Sequence, residues 1–211
     1  MYRSHRFDMS IIVAALALCF STVTATASEP VSFGVKLGAV ISDQDYDYEE
    51  DAFAYNPRSS VGPVMGLFVE MPHTSCLSSR LDLLYIRKGS EVKVLEPVPA
   101  ELKDEIDYLS ISPQLKAAVP LGPGSPFVVA GPRLDIKLGG DSELNAVASD
   151  SLESTVWGMT VACGYQIAIG ESRIIFVEIA YHGDFSDAYD FDLPRLNVRN
   201  RAVVLTAGMS F

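Results

Sequence analysis

Nine charged residues stand at alternate positions on runs whose other positions are apolar: Lys36, Glu70, Arg80, Asp82, Lys116, Arg133, Asp135, Lys137 and Glu178. Charges at every second residue of an extended run share one face of a sheet. Five are cationic and four anionic, so that face is close to neutral. Two kinds of chemistry fit. The charges can pair and close an interior, because an unpaired buried charge costs several kcal/mol. Alternatively they line a narrow channel or proton path. Near-balance favours the closed interior, since a water-filled pore tolerates one dominant sign.

A second group is the acidic stretch Asp43-Gln44-Asp45-Tyr46-Asp47-Tyr48-Glu49-Glu50-Asp51. Oxygens at alternate positions suit calcium, but the central glycine and twelfth-position glutamate of an EF-hand are missing. A solvated acidic loop is the favoured reading. A weak divalent cation held by Asp43, Asp45, Asp47, Glu49, Glu50 and Asp51, bridging to anionic lipid headgroups, is the alternative. Tyr46, Tyr48, Phe53 and Tyr55 among those acids suit an extracellular protein or glycan partner. Cys76 and Cys163 have no His or Cys at metal spacing and are too few for a disulfide framework. No cofactor and no confident metal site follow.

The elements that position these residues repeat with a period of two. Apolar faces alternate with small, polar or charged faces in Phe33 to Ile41, Val61 to Met71, Ser79 to Lys88, Ile106 to Val119, Phe127 to Gly139, Val156 to Ile169, Ile174 to Gly183 and Val203 to Phe211. Long connections near 42–60, 89–105, 140–155 and 184–197, all net acidic, alternate with short ones near 72–78, 120–125 and 170–173. Eight strands joined in this way predict an antiparallel up-and-down barrel with both termini at one end. The apolar face is nearly free of charge while the other carries charges and glycines. That arrangement puts hydrocarbon outside the barrel and predicts a transmembrane β-barrel. A soluble lipocalin-type barrel, with its apolar face inward, is the competing reading. An interior of eight strands is just wide enough to be filled by side chains.

Ahead of the strands, Arg3, His5 and Arg6 precede the apolar run Ile11 to Phe20 and an Ala25-Thr26-Ala27 cleavage pattern. Residues 1–27 therefore read as an export signal and 28–211 as the barrel domain. The apolar run is too short to span a bilayer as a helix. With a net charge of −11 and a pI near 4.6, the chain has no basic face for nucleic acid.

Four motifs carry a resemblance. Leu83-Leu84-Tyr85-Ile86-Arg87-Lys88-Gly89 resembles a strand with a Tyr…Lys-Gly exit. Asp107-Tyr108-Leu109-Ser110-Ile111-Ser112-Pro113 resembles a Tyr-Leu-x-Ile-Pro strand with one extra residue before the proline. Ala130-Gly131-Pro132-Arg133 resembles an Ala-Gly-Pro step, and Gly208-Met209-Ser210-Phe211 a terminal assembly signal. In this order they resemble the PorT-like, porin-family outer-membrane β-barrel domain over the mature chain. The resemblance implies an outer-membrane monomer with periplasmic termini, lipid around it, and Phe211 read by the barrel-insertion machinery. Its function is then structural or surface interaction, with a narrow porin-like channel as the alternative. A lipid-modifying enzyme is a weaker reading. Lipid A deacylases resemble this chain in being small barrels with a lipid-facing His-x-Ser pair. Here His182 and Ser186 are spaced His-x-x-x-Ser and His182 points inward, so no catalytic residue is assigned.

Overall fold

The computed structural model describes residues 30–47, 56–94, 100–142, 154–170, 173–185 and 197–211. The export segment 1–27 and acidic residues Glu49, Glu50 and Asp51 lie outside them. Eight strands follow in order: β1 Ser32–Asp47, β2 Asn56–Pro72, β3 Leu77–Val94, β4 Ala100–Ala118, β5 Gly124–Ser142, β6 Thr155–Ile169, β7 Arg173–Asp184 and β8 Asn197–Ser210. Each pairs antiparallel with its sequence neighbours, and β8 returns to β1, closing the barrel. Closure extends to the chain end: Phe33 and Phe211 exchange backbone hydrogen bonds of 3.1 and 2.8 Å. A closed ladder leaves no open edge, so its backbone polar groups pair within the sheet.

Both described ends of the chain lie at one end of the barrel, with the connections 73–76, 119–123 and 170–172. Local chemistry fixes these turns. Leu121 and Gly124 bond to each other across Gly122-Pro123. Gly122 has φ 65° and proline cannot follow it into positive φ, which suits a II′ hairpin. In the first turn the Thr74 hydroxyl accepts from the backbone N–H of Cys76 and Leu77.

At the far end the strands outrun the alternation that predicts them. The apolar pattern stops at Ile41, but β1 runs on to Asp47, with Asp43 opposite Arg201 and Asp45 opposite Arg199 in the backbone register. Likewise β3 continues to Val94 and β4 begins at Ala100, so the connection expected over 89–105 spans only 95–99. Asp43, Asp45 and Asp47 thus stand on a strand rather than in a loop. The reason is solvent: where the outer face leaves hydrocarbon, outward positions become polar while the backbone ladder persists.

The outer face is the apolar one. Leu37, Leu67, Leu205 and Val177 are more than half exposed, and Cys163 lies exposed among them. Aromatic residues edge this band: Phe33 and Phe211 at the terminal end, Tyr181 and Phe185 at the far end. On β3 and β4 the band ends in an outward polar cluster. There Arg87 Nε donates to Asp107 Oδ1 at 2.7 Å, Tyr85 Oη donates to the same oxygen at 2.8 Å, and Arg87 lies 3.4 Å from Glu105. A water-soluble barrel with this surface would expose apolar area on every strand, far beyond an ordinary monomer's patch. Hydrocarbon is the solvent that stabilises it.

The ladder is interrupted in three places. Between Ser59 and Val64 the β2–β3 register shifts, and Ser42 of β1 reaches across to Gly89, accepting from its N–H and donating to its carbonyl. Beyond Tyr108 the β4–β5 register skips Leu138. Between Ile111↔Leu134 and Leu115↔Ala130 the shared register sets Pro113 opposite Pro132. Neither has an N–H to leave unsatisfied in lipid, and the Ser112 hydroxyl donates to the Pro132 carbonyl from inside at 3.0 Å. A closed barrel of this kind resists detergent until heated. The refolded protein should run at a different apparent mass on detergent gels before and after boiling, and identical mobility would contradict the closure.

Candidate functional site in the barrel interior

Inward side chains fill the barrel in tiers. Near the terminal end Phe68, Phe127 and Phe176 make a floor, with edge-to-face contacts of Phe176 to Phe68 at 5.5 Å and to Phe127 at 6.1 Å. Each ring lies over a glycine directly opposite it on a neighbouring strand: Phe68 on Gly34, Phe127 on Gly164 and Phe176 on Gly208. A Cβ at any of the three glycines would stand within 2.4 Å of its ring. Only hydrogen fits there.

Above the floor lies a four-charge tier. Lys36 Nζ donates to Asp82 Oδ2 at 2.8 Å and to Glu178 Oε1 at 3.0 Å. Arg80 lies 3.1 Å from Asp82 and 2.8 Å from Glu178, and its Nε and Nη2 donate to Gln114 Oε1. The Lys36 ammonium is 5.6 Å from the ring centres of both Phe68 and Phe176, adding a cation–π contact to its two ion pairs. To one side Lys116 donates to both oxygens of Glu70 and lies 4.9 Å from the Phe127 ring centre. Ser78 also donates to Glu70, at 2.7 Å.

A second tier sits toward the far end. Lys88 Nζ donates to Asp135 Oδ2 at 2.6 Å and stands 3.8 Å from Asp184. Arg133 bonds Asp135 at 3.1 Å and pairs with Asp184 through Nη2. Around the tiers pack apolar side chains that include Val40, Val64, Ile86, Val156 and Val204. The interior is therefore part salt, part hydrocarbon.

Of the nine charges that alternation selects, Lys36, Arg80, Asp82, Lys116, Arg133, Asp135 and Glu178 are buried inside, and Glu70 is half-buried at the edge. Lys137 departs from the set. It is half-buried and joins none of the ion pairs among the described residues. It stands opposite the buried Tyr108, on the inward parity, immediately before the bulge at Leu138. Two charges join the set unforeseen. Lys88, taken as a strand exit, and Asp184, taken as loop, are both buried in the second tier. Lys88 shares its parity with Arg80 and Asp82, so reading that parity to the end of the run Ser79 to Lys88 would have found it. With them the paired interior holds five cations and five anions.

His182 is also buried and inward-facing. Among the described residues no group of three or more His, Cys, Asp or Glu side chains is placed to hold a metal ion.

With this geometry the chain matches the family of the outer membrane protein beta-barrel domain over residues 12–211. The chain belongs to that family. Its place is the outer membrane. Among solved structures, OprG from Pseudomonas aeruginosa superposes with a TM-score of 0.55 at 13% identity, covering 85% of this chain and 95% of that one. The outer membrane protein AlkL, determined in DMPC bilayers, gives 0.53 at 12% identity, covering 89% and 93%. The outer membrane enzyme PagL gives 0.41 at 15% identity, covering 82% and 97%. At these identities OprG and AlkL show a shared fold alone. No curated protein matches the chain at a significant level.

The tiers carry a direct consequence. Replacing Arg133 by methionine leaves Asp135 and Asp184 to share Lys88, and removing one member of a buried charged set costs about 3–5 kcal/mol. Replacing Arg87, whose side chain is 39% exposed, should cost about 1 kcal/mol or less. Urea unfolding of the two variants in lipid vesicles measures the difference.

Proposed function

We propose that this outer-membrane barrel is a closed scaffold whose work is done at its surface, with the far rim facing outside and both termini in the periplasm. The observation that supports it is the neutral, tiered interior. A solute crossing the barrel would have to displace three phenylalanine rings and break two tiers of paired charge. Each step would strand a buried ion at several kcal/mol.

Beyond the apolar band the strands continue as polar ladders, in β1 through Asp43, Asp45 and Asp47. They lead into connections that the sequence makes acidic, and these form a recognition surface for an extracellular protein or glycan. In this reading Asp43, Asp45 and Asp47, with Glu49, Glu50 and Asp51, keep that surface solvated rather than forming a specific cation site. The barrel works as a monomer in lipid, inserted through recognition of its last strand and Phe211 by the barrel-insertion machinery. The finer likeness to PorT-like members of the family rests on the four sequence motifs. No enzymatic activity is proposed: His182 faces the interior, away from any lipid substrate.

In planar bilayers the purified protein should give no discrete conductance steps. Steps that disappear when the interior charges are altered would establish the channel reading instead. Adding calcium should leave tryptic cleavage between residues 43 and 60 unchanged, whereas protection there would assign the acidic stretch to a cation.

A further inference from the structure

Between the two charged tiers lies a small enclosed cavity, with about 10 Å³ accessible to a water-sized sphere. Its wall combines apolar residues such as Leu84 and Val204 with Ser110, Ser112, Thr160, Thr206, His182 and Lys36. The hydroxyl groups of Ser112 and Thr160 are within 3.4 Å of each other, and Ser112 also donates to the Pro132 carbonyl. Two other wall groups have no such outlet. His182 Nδ1 and Ser110 Oγ are completely buried, and no protein group hydrogen-bonds either. His182 is 3% exposed and Ser110 1%. A buried polar atom left in this condition costs about 1–3 kcal/mol, and two of them bordering one cavity point to a shared ligand.

The chemistry of the wall selects the ligand. The charges nearest the cavity, Lys36, Asp82 and Glu178, are already committed to ion pairs with one another and with Arg80, so they sum to neutrality. A cation or anion would unbalance them. The volume corresponds to about one water, and a buried water needs two to four polar partners. We propose that the cavity is a structural water site, in which one water donates to His182 Nδ1 and accepts from the Ser110 hydroxyl.

This assignment determines the state of the histidine. In the proposed direction of these bonds Nδ1 is the acceptor, so the ring is neutral with its proton on Nε2. The water also fills the space beside the four-charge tier, completing the packing of the interior without opening a path through it.

The test uses the full barrel refolded in detergent micelles with isotope-labelled histidine. The His182 ring is assigned by the loss of its signals in His182→Gln. Imidazole nitrogen spectra should show an unprotonated Nδ1 and a protonated Nε2, with a cross-relaxation peak from a slowly exchanging water to the ring. A proton on Nδ1, or no water peak, would overturn the proposal. Ser110→Ala supplies a separate reading by urea unfolding. If water is bound, the variant deprives it of a partner and the midpoint falls. If the cavity is dry, the variant deletes an orphaned hydroxyl and the midpoint rises, which would sink the idea.

Discussion

A sheet that closes on itself inside hydrocarbon satisfies its own backbone, but it leaves its charged side chains a single refuge, the space it encloses. Everything distinctive in this barrel follows from that confinement. The interior of eight strands is too narrow for bulk water, so the charges must neutralise one another. They do so in small mixed groups rather than in isolated pairs: Lys36 serves two carboxylates, Asp135 serves two cations. Such sharing is what keeps buried ions tolerable when each desolvated charge would otherwise cost several kcal/mol.

Buried ion pairs are weak contributors to stability compared with well-packed apolar side chains, which leaves the question of what they do here. Register is one answer. Slipping a strand by one residue would turn all its inward side chains outward. For β3 that would send Arg80, Asp82 and Lys88 toward lipid, at about 2–4 kcal/mol for each cation near the membrane midplane. The phenylalanine floor adds a steric lock. Its rings fit only where a glycine stands opposite on the next strand, so a two-residue slip of β2 against β1, or of β7 against β8, which keeps the faces, would drive a ring into a side chain. Charge penalises the slip from the lipid side and sterics penalise it from within.

The fold was legible in the chain because membrane strands wear their environment on alternate residues. The apolar half of the period identifies the outside, the charged half the inside, and the spacing of the runs gives the strand number. The same period locates Lys36, Arg80, Asp82, Arg133, Asp135 and Glu178 on inward positions. It fails where its physical basis fails. Lys137 keeps the inward parity opposite Tyr108 but, beside the bulge at Leu138, is only half-buried. Asp184 ends β7 just past Gly183, where the alternating run of the sequence stops, so no periodicity remains to mark it as strand. Lys88 is obscured by its outward neighbour Arg87, which makes the pleat look like an exit to solvent. The phenylalanine–glycine pairs were beyond reach for another reason. They join residues on different strands, and only the register between strands brings them opposite.

An interior committed to holding itself together also limits where function can lie. Outward positions within the band are matched to lipid, and the terminal end consists of connections as short as the II′ hairpin at Gly122-Pro123. Among the described residues, the strands extend beyond the apolar band at the far end. The Tyr85–Arg87–Asp107–Glu105 cluster shows the change on a single pair of strands: one pleat below it the outward residues are Leu83 and Ile111, and at its level polar and charged groups satisfy one another. On the surface role proposed above, recognition begins above that level, where the rigid ladder below presents a surface without taking part in its chemistry.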